Sequence, residues 1–173
     1  MDKQDLGRAL LAACHLRGEF QLRSGAISPE YFDKYRFESD PKLLQEIAMQ
    51  LAALLPKNVD ALAGLELGGI PIVTALCQVT GLPALFVRKT AKNYGTCQLV
   101  EGGTVEGRRI VVVEDVITSG GQVLISTLEL KKLGAQIIGV LCVIDREAGG
   151  KAALEAAGLE LMALFRMTDL KKD

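Results

Sequence analysis

The chain is expected to fold as an α/β protein with a central, mostly parallel β-sheet flanked by helices. Three observations carry that expectation. Helix-period and strand-like stretches alternate along the sequence, as they do in successive βαβ units. Glycine and proline stand between these stretches as punctuation. Ile110-Val111-Val112-Val113 is a run of β-branched residues, which suits a strand covered on both faces.

The first helix is expected from about Asp5 to Leu16, with Leu6, Leu10, Leu11 and Ala13 or Cys14 on its apolar side; His15 is then an ordinary helix residue. Asp40-Pro41 offers an N-cap followed by proline at the first helical position, so a second helix should run from there to about Leu55. Its apolar residues Leu43, Leu44, Ile47, Ala48, Leu51 and Leu54 recur at helical spacing and form one stripe. Strands are expected at Asp60–Gly64, Ala84–Val87, Ile110–Val113, Ile137–Ile144 and near Leu159–Phe165. One intervening helix opens near Ile70-Pro71 and ends before Gly81. Another follows Thr118-Ser119-Gly120-Gly121, turns Val123, Leu124, Thr127, Leu128 and Leu133 inward, and stops at Gly134. Arg88–Thr104 is long, polar and contains Gly95, Gly102 and Gly103, which reads as a mobile surface loop or an extended hairpin.

At 173 residues, with no repeat, linker or low-complexity tract, the sequence points to one domain over 1–173. A domain of that size buries roughly 70% of its unfolded surface. Twenty basic against 21 acidic side chains leave no bulk field for nucleic acid, so any anion site is local. Cys14, Cys77, Cys97 and Cys142 lack metal-ligand spacing and are read as reduced thiols. No charged-then-apolar leader is evident, and no apolar run approaches the ~18 residues of a membrane span. The expectation is a soluble cytoplasmic protein with no membrane partner.

The densest chemistry follows the buried run. Glu114 and Asp115 are followed by Val116, Ile117 and then Thr118-Ser119-Gly120-Gly121-Gln122 at a helix start, where hydroxyls and unhindered amides suit a phosphate. The carboxylates would repel that phosphate. They fit sugar hydroxyls instead, directly or through a metal. In a parallel sheet, ligands sit beyond the carboxyl ends of the strands. There the sequence also places Leu65-Glu66-Leu67-Gly68-Gly69, Arg88-Lys89 with Lys92, and Asp145-Arg146. Taken singly, a glycine pair is turn chemistry, a basic loop is a solvated face and Asp-Arg is a strand-end ion pair. Their meeting on one rim favours a ribose 5-phosphate site. The P-loop and G-x-G-x-x-G fingerprints are absent, which disfavours a P-loop kinase and a Rossmann dehydrogenase.

Val111 to Gly121 resembles the phosphoribosyl diphosphate (PRPP) signature of the type I phosphoribosyltransferases. Gly18-Glu19-Phe20-Gln21-Leu22-Arg23-Ser24-Gly25 with Ser28 and Tyr31-Phe32-Asp33, the loop Arg88-Lys89-Thr90-Ala91-Lys92, and Ile144-Asp145-Arg146 narrow the resemblance to the orotate phosphoribosyltransferases, from about Leu10 to Arg146. That resemblance implies the type I phosphoribosyltransferase fold, with a small N-terminal hood at about 18–36 and a mobile catalytic loop at about 88–104. It implies transfer of ribose 5-phosphate from PRPP to orotate, with Mg²⁺ carried by PRPP and pyrophosphate near Glu114 and Asp115 and no direct protein ligand. It also implies a homodimer whose loop is shared across the interface.

By the same resemblance, Glu114 to Gln122 hold the ribose 5-phosphate unit, with Glu114 and Asp115 on the ribose hydroxyls, and Glu66 to Gly69, including Gly68, form the pyrophosphate loop. Thr118, Arg146, Arg23, Tyr31 and Phe32 face orotate, and a guanidinium is the natural partner of its carboxylate. Arg88, Lys89, Lys92 and Tyr94 contact the diphosphate; Lys92, Arg88, Lys89 and Asp115 are the catalytic candidates. Two departures stand out. Tyr94 replaces a histidine of many members, and Gly68 replaces a pyrophosphate-loop lysine of some. The other readings are a phosphoribosyltransferase for a different nucleobase and a PRPP-sensing regulator without turnover.

Overall fold

The computed structural model describes residues 1–22, 25–91 and 98–171. Helix α1 (Lys3–Cys14) starts where the Asp2 carboxylate accepts a hydrogen bond from the Asp5 amide. It ends earlier than expected, because His15 and the residues after it pair with Ile27–Phe32, and Arg17 and Gly18 offer nothing to continue the buried stripe of Leu6, Leu10 and Cys14. His15 therefore opens a strand instead of closing a helix. β1 (His15–Gln21) pairs antiparallel with β2 (Ile27–Phe32) in a separate two-stranded sheet.

A short helix α2 (Tyr35–Glu38) leads into α3 (Pro41–Ala52), where Asp40 Oδ1 accepts from the Lys42 and Leu43 amides. The cap-plus-proline reading holds, and Leu43, Ile47, Ala48 and Leu51 are the buried stripe. The rest alternates: β3 (Ala61–Leu65), α4 (Gly69–Thr80), β4 (Ala84–Val87), β5 (Val100–Glu101), β6 (Arg109–Ile117), α5 (Gly121–Lys132), β7 (Gln136–Asp145), α6 (Gly150–Ala156), β8 (Leu161–Arg166) and α7 (Met167–Leu170).

The six-stranded sheet has the order β5-β4-β3-β6-β7-β8 and is parallel except for β5. The chain steps from β3 outward to β4, then returns to lay β6 on the other side of β3. Strand order reverses between β3 and β6, and a crevice opens there beyond their carboxyl ends. Asp60 fixes the other end of this pair, its carboxylate accepting from the Arg109 amide at 2.8 Å and from Arg109 Nε at 3.0 Å. One face of the sheet buries Val111 and Val113 with Leu6, Leu10, Phe37, Ile47 and Leu76. The other buries Ala63, Ile110 and Val112 with Val123, Leu130 and Leu154.

Two differences from the sequence reading have physical causes. β6 continues past Val113 to Ile117, because β7 keeps pairing it as far as Ile117↔Asp145; the carboxylates lie on the strand, not after it. On α5 the buried positions are Val123, Ser126, Thr127 and Leu130, whereas Leu128 and Leu133 are 55% and 47% exposed. Apolar character had suggested those two as inward, but the start at Gly121 sets the helical phase. Within Arg88–Thr104, β5 pairs antiparallel with β4 through Phe86↔Glu101 and Val87↔Val100, so the root of this segment is a hairpin. Among the described residues no helix is long and apolar enough to cross a membrane.

Candidate active site

The crevice between β3 and β6 is walled by close backbone contact, and that is why its loops are rich in glycine. A Cβ on Gly69 would run into the Val113 carbonyl oxygen, and one on Gly64 would lie 2.5 Å from the Gly69 carbonyl oxygen. Glycine lets the start of α4 sit against β6. The Glu66–Leu67 peptide bond in this loop is cis. Glu66 turns sideways: its amide donates to the Val87 carbonyl at 2.9 Å, and its Oε2 accepts from the Lys89 amide at 3.0 Å.

Across the crevice, Thr118 and Ser119 are exposed and Gly120 enters α5 with φ of 75°. Gly120 is the N-cap, its carbonyl accepting from the Leu124 amide at 3.0 Å. With the first amides of α5 unpaired within the helix, this is an anion-accepting terminus. The loop is backed by the start of α6, where a Cβ on Gly150 would lie 2.5 Å from the Thr118 carbonyl oxygen. Sequence reasoning passed over Gly150, although Gly149-Gly150 ahead of an apolar helix was the available signal.

Arg146 is exposed beside this loop, its amide donating to the Ile117 carbonyl at 2.8 Å. Asp145 Oδ1 accepts from the Glu147 amide at 2.8 Å, and Glu147 Oε2 accepts from the Thr168 amide at 2.9 Å. The hydroxyl loop and Arg146 are therefore neighbours at the ends of adjacent strands. Arg88 holds its root position through its backbone amide, which donates a hydrogen bond to the Leu99 carbonyl at 2.9 Å, and its Nε lies 3.3 Å from Glu101 Oε1. Lys89 is exposed. Tyr31 is 43% exposed with its ring 5.6 Å from that of Phe20, whereas Phe32 packs against the main core. Arg23, Lys92 and Tyr94 lie outside the described residues.

Glu114 and Asp115 sit in a cluster that the sequence reading did not foresee. Asp115 is fully buried, its Oδ1 accepting from the Val116 amide and its Oδ2 forming an ion pair with Lys34 Nζ. Glu38, also buried, contributes a third carboxyl, and its Oε1 has no hydrogen-bond partner among the described residues. Burial first, then the hydrogen bond to Asp115 and after it the Asp115 charge, push the Glu38 and Glu114 carboxyls up to about 9. Asp115 goes the other way. Burial opposes its charge, but Glu38, Glu114 and Lys34 together hold it below its ordinary value. Burial likewise works against the Lys34 charge and is outweighed by Asp115 and Glu114, so its pKa is raised. At neutral pH two protonated acids flank one carboxylate, with Lys34 facing it.

Asp115 also explains the glycine at position 68. A Cβ there would collide with Asp115 Oδ2, so the carboxylate occupies the space that a side chain would need. Neither Lys34 nor Glu38 carried a visible signal, since each needed the α2 turn to bring it to Asp115. A cavity of about 960 Å³ lies elsewhere, between the hairpin root and α5, lined by Lys89, Val100, Val105, Ile125, Glu129 and Leu133 among others. None of Glu114 to Gln122 lines it.

Residues 38–157 match the phosphoribosyl transferase domain family. Over 159 residues the chain is 50% identical to an orotate phosphoribosyltransferase of a Nocardioides species, covering 92% of this chain and 89% of the relative. It is 41% identical over 167 residues to an orotate phosphoribosyltransferase of Halobacterium salinarum, covering 96% and 95% of the two chains. Among solved structures, the fold is similar to that of Mycobacterium tuberculosis orotate phosphoribosyltransferase in complex with PRPP. That match has a TM-score of 0.85 and 29% identity over 98% of this chain and 99% of the other.

Proposed function

Since the chain belongs to the orotate phosphoribosyltransferase family of type I phosphoribosyltransferases, we propose that it transfers the ribose 5-phosphate of PRPP to orotate, giving orotidine 5′-monophosphate and pyrophosphate. The observation that carries this reading is the adjacency of two unlike sites. A phosphate-accepting loop at the end of β6 touches, through the Arg146 amide and the Ile117 carbonyl, a strand end carrying an exposed guanidinium. One suits the sugar phosphate, the other a carboxylate-bearing base.

In the reaction the bond from ribose C1 to the diphosphate oxygen breaks as a bond to the base nitrogen forms, and the proton displaced from that nitrogen is taken up by the departing pyrophosphate. Positive charge develops on the ribose and negative charge on the leaving group. We assign the amides and hydroxyls of Thr118 to Gln122 to the 5-phosphate and Glu114 and Asp115 to the ribose hydroxyls. The backbone of Glu66 to Gly69 takes the diphosphate, and Arg146 with Thr118, Arg23 and Tyr31 takes the base. Arg88, Lys89 and Lys92 belong to a basic loop that stabilises the departing diphosphate and excludes water, the competing nucleophile. The hydrogen bond from the Lys89 amide to Glu66 supports this, since it joins the basic loop to the pyrophosphate loop.

Mg²⁺ is assigned to the diphosphate, where it neutralises charge on the leaving group. The donor set fits an ion that arrives with substrate. The Glu114 and Asp115 carboxyls are already engaged with Lys34, Glu38 and each other, so in this reading the ion comes with PRPP and the chain supplies no resident ligand. We take the working unit to be a homodimer with the basic loop near the interface. Ile125 and Leu128, about one turn apart on α5 and both exposed, support self-association.

Purified protein incubated with PRPP, Mg²⁺ and orotate tests the function. Orotate absorbance should fall only when all three are present, and its persistence under every condition would refute the assignment.

A further inference from the structure

Lys34 lies where no recognised motif placed a functional residue. It precedes α2 with its side chain 33% exposed, yet its Nζ reaches the Asp115 carboxylate, whose side chain is 1% exposed at the crevice between β3 and β6. The groups gathered there are Glu38 from α2, Glu114 and Asp115 from β6, and the backbone of Gly68 from the loop before α4. Three of these bring carboxyls, and Lys34 is the cation they share.

The loop before α4 cannot supply a cation in its place. Gly68 has no side chain, and Asp115 Oδ2 occupies the position that a Cβ would take. Gly68 and Lys34 thus form a matched pair: the glycine leaves a seat for Asp115 Oδ2, and the lysine pairs with that same oxygen. A carboxylate in that seat without a cation would either take up a proton or swing away, and in both cases it would accept hydrogen bonds from a sugar less well.

We propose that Lys34 is a positioning residue for the transfer reaction, holding the Asp115 carboxylate seated on Gly68 so that the crevice presents it to the ribose of PRPP. This rests on the reading of PRPP as the substrate of the crevice. The residue acts through Asp115 and does not itself contact the base.

Lys34→Gln tests the assignment while leaving a hydrogen-bond donor for Asp115, and Lys34→Arg restores the charge. PRPP binding is measured by calorimetry without orotate, the KM for orotate is measured separately, and melting temperatures are recorded for each protein. Lys34→Gln should weaken PRPP binding about tenfold or more, as expected for loss of a charge-assisted contact. The orotate KM should stay within about twofold, and Lys34→Arg should recover most of the PRPP affinity. Unchanged PRPP affinity, equal loss for both substrates, or a Lys34→Gln chain that does not fold would each overturn the positioning role. A wild-type protein that binds PRPP but leaves orotate untouched would refute the choice of base while the Lys34 comparison still stands.

Discussion

The backbone amide of Lys89 donates to Glu66 Oε2 at 3.0 Å, so the root of the basic loop is tied to the loop before α4. The two elements that handle the diphosphate in the proposed reaction are therefore mechanically joined. Glu66→Ala should lower kcat roughly tenfold, the effect of about 1.5 kcal/mol for a lost bond to a charged acceptor, while Glu66→Gln retains most activity. Steady-state kinetics with both substrates varied would check this. A change confined to the orotate KM would contradict the coupling.

Arg146 is exposed at the end of β7, next to the hydroxyl loop. Arg146→Ala should raise the orotate KM, with a loss on the order of 2–4 kcal/mol for an unpaired substrate carboxylate. PRPP affinity should change little. Equal losses for both substrates in initial-rate measurements would remove Arg146 from its assigned role.

Gly150 supports the phosphate loop from behind, with room for no side chain between it and the Thr118 carbonyl. Gly150→Ala should displace that loop, costing roughly 1–3 kcal/mol of stability from overpacking and weakening PRPP more than orotate. Thermal melts and PRPP titration read the two effects. A variant with native stability and native PRPP affinity would show that α6 does not brace the loop.

Glu38 and Glu114 keep their protons up to about pH 9 in the folded chain, whereas unfolded carboxyls lose theirs near 4.5. Between those values the folded state binds more protons than the unfolded state, so stability declines as pH rises from about 4.5 through about 9. The ligand-free protein should melt at a lower temperature at pH 9 than at pH 6. Glu38→Gln, which cannot ionise, should reduce that difference; an unaltered pH dependence would mean that Glu38 is not the group that titrates.

The features most legible in the sequence were those written locally. The Asp40-Pro41 cap, the β-branched run of β6 and the glycine pairs before α4 and α5 each carry their reason within a few residues. What escaped was set by distant partners. α1 stops at Cys14 because the following residues pair with β2, and the outward aspect of Leu128 and Leu133 follows from where α5 begins. The least legible feature was the carboxylate cluster. Glu114 and Asp115 could be read as sugar-facing acids from sequence, but Lys34 and Glu38 meet them only because α2, packed against α1 and α3, brings both side chains to Asp115. Gly68, a departure in sequence, became intelligible once Asp115 was found in its space.

The most direct test of the central claim offers the protein PRPP, Mg²⁺ and an equimolar mixture of orotate, uracil and adenine, with nucleotide products and pyrophosphate quantified together. Orotidine 5′-monophosphate should form in one-to-one ratio with pyrophosphate and dominate the nucleotide products. Preferential formation of a uracil or adenine nucleotide, or pyrophosphate release without any nucleotide, would contradict the account.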